Sequence, residues 1–188
     1  MAGRALRPQK GVPVELTKQV LKTGKIVGIK GIGGFHIACD ATNQQAVAEL
    51  RKRKNRPDKP FAIMANFDNL QEIIEFTEEH AKLLKSPAAP ILILPKKSNS
   101  PLAENISPNN PNIGVFLPYI PHHFQIVNKD LPFVIMTSGN LRDEPIARTE
   151  AELLGICDCF LAHDRPILNR SDDSIILPAK DLNIFLRR

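Results

Sequence analysis

Tryptophan is absent from this 188-residue chain, and tyrosine occurs once. Proteins that grip single-stranded RNA do so largely by stacking bases on aromatic rings, and so few rings argue against such a platform. Cysteine is equally scarce. Cys39, Cys157 and Cys159 are too few and too poorly spaced for a structural zinc site. Their odd number, with no recognisable signal peptide, points to a reducing, cytoplasmic setting. No apolar run approaches the roughly 20 residues that a membrane-spanning helix requires.

Apolar residues, by contrast, make up 43% of the chain, enough to bury a core, and the formal charge is +5. That excess suits an anionic partner: a nucleotide, an RNA or an acidic protein surface. The length is that of one ordinary domain or two small ones.

Segment 1–13 is polar and is expected to be flexible, with the folded domain spanning 14–188. VELTKQVLKTG sets Val14, Leu16, Val20 and Leu21 at helical spacing, with Gly24 as the stop. KIVGIKG is a β-branched run and reads as a buried strand. GIGGFHIACDATN reads as a glycine-rich turn ending in the N-cap candidates Asp40, Thr42 and Asn43. QQAVAELRKRK is a helix that Pro57 ends. Farther on, KPFAIMA, APILILP, IGVFLP, LPFVIMTSGN and CFLAHD read as strands, and SDDSIILPA with LNIFLRR as a terminal pair. NLQEIIEFTEEHAKLLK, YIPHHFQIVNK and ARTEAELLGI read as helices. KKSNSPLAENISPNNPN, rich in proline and asparagine, reads as a surface excursion or lid. The alternation predicts a single α/β domain: a twisted, open, mixed parallel and antiparallel sheet flanked by helices. NIFLRR reads as a strand cut short, as in a domain excised from a longer multidomain protein.

The chemistry-bearing stretches each have two readings. Gly31, Gly33 and Gly34 suit either a phosphate-binding turn or plain turn geometry, and they match neither the dinucleotide fingerprint nor a Walker loop. In RKRKNRPDKP, a helix with Ala46, Val47 and Leu50 inward brings Lys54 to the same apolar stripe and turns Lys52 away. Arg51, Lys52 and Arg53 are expected to form a solvated helix end that complements the dipole. Lys54, Arg56 and Lys59 stand open between that role and a cleft. MTSGN puts Ser138 and Asn140 just past a buried strand, where open α/β sheets bind ligands or where an ordinary polar turn stands. HDRPI reads as an ion-paired turn. Asp172 and Asp173, read as strand residues, point to opposite faces, so at most one can meet a magnesium ion. Neither a nucleophile with its base nor a metal ligand set stands out.

Taken in order, KGIGGFHIACDATN, RKRKNRPDKPFAIM, SPAAPILIL, GVFLPYIPHH, FVIMTSGN with EPIA, and FLAHDRPI with DDSI resemble the YrdC-like family. Within it they resemble the YrdC-like domain of HypF-type hydrogenase-maturation carbamoyltransferases. The likeness covers about residues 14–188. The family's Lys-x-Arg and Ser-x-Asn pairs match Lys54 with Arg56 and Ser138 with Asn140. What the resemblance implies is adenylation: ATP with Mg2+, and carbamate derived from carbamoyl phosphate, give carbamoyl-adenylate and pyrophosphate. Other domains of the same polypeptide then pass the carbamoyl group to a HypE-like acceptor protein.

By the same resemblance Lys54, Arg56, Ser138 and Asn140 carry the chemistry. Lys59 and Thr137 support them, Lys30 and His36 lie near the glycine turn, and Arg170 and Ser174 close the far side. The proline-rich loop 98–112 would then serve as a lid that shields a reactive anhydride. Departures from the pattern are Arg142 and Asp143, where relatives carry Ser-Gly, and Ser171, where they carry Val. GVFLPY lacks the arginine of stand-alone family members. That favours the HypF branch over the alternative, a threonylcarbamoyl-adenylate synthase of tRNA modification. A double-stranded RNA-binding module is a third reading, permitted by the charge.

Overall fold

The computed structural model describes residues 13–141, 144–179 and 182–187. Residues 1–12 of the segment expected to be flexible, and the departures at Arg142 and Asp143, lie outside them. Helix α1 (Pro13–Lys22) ends at Gly24, whose φ of +78° an L side chain would resist. Strand β1 (Val27–Lys30) follows, and then comes the first departure from expectation. FHIACD, assigned above to a turn, is strand β2 (Phe35–Asp40), buried from Phe35 to Cys39. Its two faces lie in different cores, so no apolar–polar alternation marks it in the sequence.

Helix α2 (Gln44–Arg53) is capped by the Asn43 side chain, which accepts from the Gln45 and Ala46 amides. The chain continues through β3 (Ala62–Ala65), a 3-10 helix at Phe67–Glu72, α3 (Glu78–Leu84), β4 (Ile91–Pro95) and β5 (Asn112–Phe116). Helix α4 (Pro121–Ile126), β6 (Phe133–Ser138), β7 (Cys159–Leu161) and the hairpin β8 (Ile175–Ala179) with β9 (Leu182–Arg187) complete it. ARTEAELLGI, expected as a helix, yields only a 3-10 turn at Glu150–Leu153.

Among the described residues the nine strands form one sheet in the order β7-β1-β2-β6-β3-β5-β4-β8-β9. The pairs β1–β7, β3–β5 and β4–β8 are parallel and the rest antiparallel, so the sheet is mixed, as expected. Side chains alternate between two cores. Phe35, Ile37, Phe133 and Ile135 join Ala46, Val47 and Leu50 of α2 on one side. Ala38, Val134 and Met136 join Leu21 of α1 and Ile126 of α4 on the other.

Segment 98–112 is not a free lid. A 3-10 turn at Glu104–Ile106 buries Ile106 fully, with Leu102 and Ala103 nearly so. The Ala103 amide donates to the Ala41 carbonyl and the Phe61 amide to that of Ile106. These anchors tie the loop to the β2–α2 connection and to the residue that precedes β3. Among the described residues no helix is long and apolar enough to cross a membrane.

Candidate functional site

The α2 register places four residues on one stripe: Val47, Leu50, Arg51 and Lys54, at i, i+3, i+4 and i+7. Lys54 is the C-cap and is 3% exposed, matching its expected inward position. Asn55 follows at φ 47°, which breaks the helix and turns the basic run across the sheet end. The Lys54 Nζ donates to the Ser138 carbonyl at 2.8 Å, the Asn140 carbonyl at 2.5 Å and Asn140 Oδ1 at 3.5 Å. Ser138 Oγ donates to Asn140 Oδ1 at 2.7 Å, and Asn140 Nδ2 donates to the Glu144 carbonyl at 2.7 Å. The two segments thus meet end to end through a lysine whose charge is held by carbonyl oxygens.

Arg51 corrects the expectation of a solvated helix end. It is 8% exposed, and its guanidinium donates to the carbonyls of Asn105, Ile106, Arg56, Pro57 and Lys59 at 2.7–3.1 Å. It also lies 4.6 Å from the Phe61 ring centroid. One buried cation therefore moulds the loop 56–60 that carries Arg56 and Lys59. Arg53 is engaged too, by Glu49, Asp158 and the Ile156 carbonyl, and Lys52 alone of the three is exposed. Arg56 packs over Phe61 at 4.9 Å and donates to the Lys59 and Pro60 carbonyls.

A cleft of about 430 Å³ opens at this junction, lined by Lys54, Arg56, Asp58, Lys59, Ser138, Asn140, Asp172 and Arg187 among others. A second, more apolar cavity of about 240 Å³ shares Arg56, Lys59, Ser138, Asp172 and Arg187 with it. Its other walls include Phe61, Ile91, Ile113, Gly114, Met136 and Thr137. Four cations thus face Asp58 and Asp172 in the first space. Burial, then the neighbouring Arg56 charge, pushes the Lys54 ammonium down to about 8. Burial and the nearby Arg51 charge push Arg56 down to about 10. Both shifts mark cations held together at a cost in solvation, which an anionic ligand would relieve.

Other expected residues lie elsewhere. Lys30 donates to the His163 carbonyl at 2.9 Å and so ties β1 to the turn after β7. Arg170 is occupied by the Ile146 carbonyl and by Glu152. Ser174 accepts the Ile91 amide through its carbonyl at the start of β8 and lines neither cavity. His36 is buried beside Tyr119, His123 and Asp173 rather than in the basic cleft. The glycines near it serve packing. A Cβ on Gly33 would sit 2.6 Å from Ser171, and one on Gly34 2.5 Å from Ile146.

Asp172 and Asp173 precede β8 in irregular backbone, so the strand argument fails, and both line the second cavity. Arg187, unanticipated, takes the Asp172 carboxylate at 2.8 Å and the Asp173 carbonyl at 2.8 Å. No local signal announces it, because only the β8–β9 pairing carries it back to the cleft. The thiols stay protonated at neutral pH: burial pushes Cys157 up to about 12 and Cys159 to about 11. Among the described residues no group of three or more metal-ligating side chains converges.

The family model for Sua5/YciO/YrdC proteins, described as telomere recombination, matches residues 19–188. The chain is 46% identical over 175 residues to the carbamoyltransferase HypF of Synechocystis sp., an alignment covering 89% of this chain and 23% of that protein. Its fold superposes on full-length HypF in the phosphate- and nucleotide-bound form, with a TM-score of 0.88 and 39% identity over 96% of this chain and 29% of that one. HypF of T. kodakarensis gives a TM-score of 0.91 and 40% identity, over 96% of this chain and 24% of that one. The chain therefore spans about a quarter of the length of the relatives it matches.

Proposed function

This chain belongs to the Sua5/YciO/YrdC family, and from that premise we propose that it forms carbamoyl-adenylate within a HypF-type carbamoyltransferase. The observation that carries the reading is the meeting of Lys54 and Arg56 with Ser138 and Asn140 at a cationic cleft that opens into an apolar one. That pairing of spaces suits a nucleotide, with phosphates on the cations and the base between Phe61, Ile113 and Met136. The solved HypF with nucleotide and phosphate supports it by analogy.

In the reaction a carbamate oxygen attacks the α-phosphorus of ATP, the bond to the bridging oxygen breaks, and pyrophosphate leaves. Two anions must approach each other. Fixed cations and donors in a water-poor cleft lower that barrier without a covalent enzyme intermediate. Lys54 and Arg56 would neutralise the α-phosphate and carboxylate. Lys59 and Arg187 would meet the departing pyrophosphate, and the Ser138 hydroxyl and Asn140 amide would orient the reacting groups. Magnesium would arrive on the triphosphate, which needs only one or two carboxylates from a protein, and Asp58 and Asp172 are the acids placed beside the cations. Carbamoyl phosphate would supply the carbamate, and transfer to a HypE-like acceptor would fall to other domains of the polypeptide.

A duplex RNA would reach the exposed Lys52 and Lys59 of the basic block but not the lysine at its centre. Lys54 is 3% exposed, out of reach of a phosphate backbone. The test is ATP-dependent pyrophosphate exchange with ammonium bicarbonate as the carbamate source. Wild type should exchange, and Lys54→Ala with Arg56→Ala should lose at least about tenfold in ATP affinity. Exchange that needs threonine would favour the tRNA-modifying branch, and ATP binding unchanged in the double variant would remove the site assignment.

A further inference from the structure

We infer that Asp173 is the acceptor that recognises the amino group of the carbamoyl substrate, an inference that rests on the adenylation reading above. Asp172 and Asp173 are neighbours with opposite fates. The Asp172 carboxylate is paired with Arg187 at 2.8 Å, whereas Arg187 reaches Asp173 only at its backbone carbonyl. The Asp173 carboxylate receives the Tyr119 hydroxyl at 3.2 Å on one oxygen and lies 3.6 Å from His36 Nε2 on the other. His36 is 5% exposed, and burial holds its imidazole below the usual range, so at neutral pH it brings no charge to the acid. Among the described residues no lysine or arginine is paired with that carboxylate.

A carboxylate with no cationic partner among the described residues, on the wall of the cavity that adjoins the cationic cleft and shares Arg56, Lys59, Ser138 and Arg187 with it, repels phosphate and is tolerated only if it does something else. It can accept about four hydrogen bonds, and the two described neighbours leave capacity unused. Carbamate has the complementary form: two oxygens for the cations and, opposite them, an amino group with two protons to donate. The placement agrees. Asp173 and Ser138 line the same cavity, and His36 stands directly across from Ser138 in the β2–β6 register. Behind the acid the rings are packed: His36 on His123 at 5.9 Å and Tyr119 edge-on to His123 at 4.9 Å between centroids. His123 is fully buried.

The experiment compares carbamate, supplied by ammonium bicarbonate, with acetate, which puts a methyl where the amino group stands. Pyrophosphate exchange by the whole chain should favour carbamate by about tenfold or more, the value of one buried hydrogen bond to a charged group. Asp173→Leu should compress that ratio towards unity when both acids are compared at saturating ATP. Tyr119→Phe, which keeps the ring and frees one carboxylate oxygen, should lower the ratio by a smaller factor and remains decisive if Asp173→Leu does not fold. Selectivity unchanged in the folded variants overturns the inference. So does an effect confined to the magnesium requirement, which would put a metal on Asp173. A wild-type chain that binds ATP but exchanges with neither acid removes the adenylation reading itself, and the inference with it.

Discussion

At the scale of single residues, Lys54 and Arg51 show how one helix stripe supplies both a ligand-facing cation and a structural one. Lys54 sits near 8, so a phosphate placed against it favours the ammonium and raises that value. The sign follows. Below about pH 8 the lysine is already charged and binding moves no proton; above it, binding must take one up. ATP affinity should therefore be flat below pH 7.5 and fall above 8, by up to about tenfold per pH unit if the charge is indispensable. Calorimetry at pH 9 in two buffers of different protonation heat would show the uptake directly, and equal heats in both would refute it. Lys54→Arg should flatten the profile.

Arg51 makes the opposite prediction. Its bond to the Ile106 carbonyl is buried and the other four are part-buried, and removing the guanidinium leaves those acceptors without their donor. Arg51→Ala should cost about 3 kcal/mol in urea unfolding, and Arg51→Lys should restore little, because an ammonium cannot span that fan of acceptors. Helical spacing contained the clue, since Arg51 lies four residues after Val47 and three before Lys54. Its charge argued for solvent, and only the folded loop 56–60 supplies the acceptors that make burial possible.

At the scale of elements, the strongest strands and the main helices were legible because apolar content and caps agree there. The end of β6 and the C-terminus of α2 were therefore placed correctly, and with them Ser138, Asn140 and Lys54. Besides ARTEAELLGI, which forms only the 3-10 turn at Glu150–Leu153, two elements were not. Strand β2 hides in a glycine-rich run, because the residues that make the turn and those that make the strand adjoin. The anchored stretch 98–112 looks like a polar loop, because only Leu102, Ala103 and Ile106 are buried apolar residues there, and backbone hydrogen bonds and the Arg51 guanidinium do the rest. Gly139 links these observations to the site. A Cβ there would lie 2.4 Å from the Phe35 carbonyl of β2, with Ser138 and Asn140 on either side in sequence. A rigid backbone carbonyl yields less than the Ile146 side chain that faces Gly34. Gly139→Ala should therefore weaken ATP binding at least about fivefold beyond any loss of stability, whereas Gly34→Ala should cost about 1–3 kcal/mol of stability and spare affinity. Thermal melts paired with ATP titrations separate the two.

At the scale of the whole molecule, the sheet has unlike edges. β7 is short and buried along its length. β9 exposes Leu182 at 68%, Ile184 at 41%, Phe185 at 55% and Leu186 at 56%, on both faces of an edge strand. An edge strand with this much exposed apolar surface offers its backbone and side chains to another strand. The same strand carries Arg187 into the cleft. The chain alone should consequently self-associate as its concentration rises. Ile184→Lys with Leu186→Lys should abolish this by placing charge on the edge while Arg187 keeps its hold on Asp172. Sedimentation velocity across a hundredfold range of concentration reads the first outcome, and ATP titration the second. Association that persists in the double variant would place the contact elsewhere. Loss of ATP binding with loss of association would show instead that the edge and the cleft are one structural unit, held through the β8–β9 hairpin.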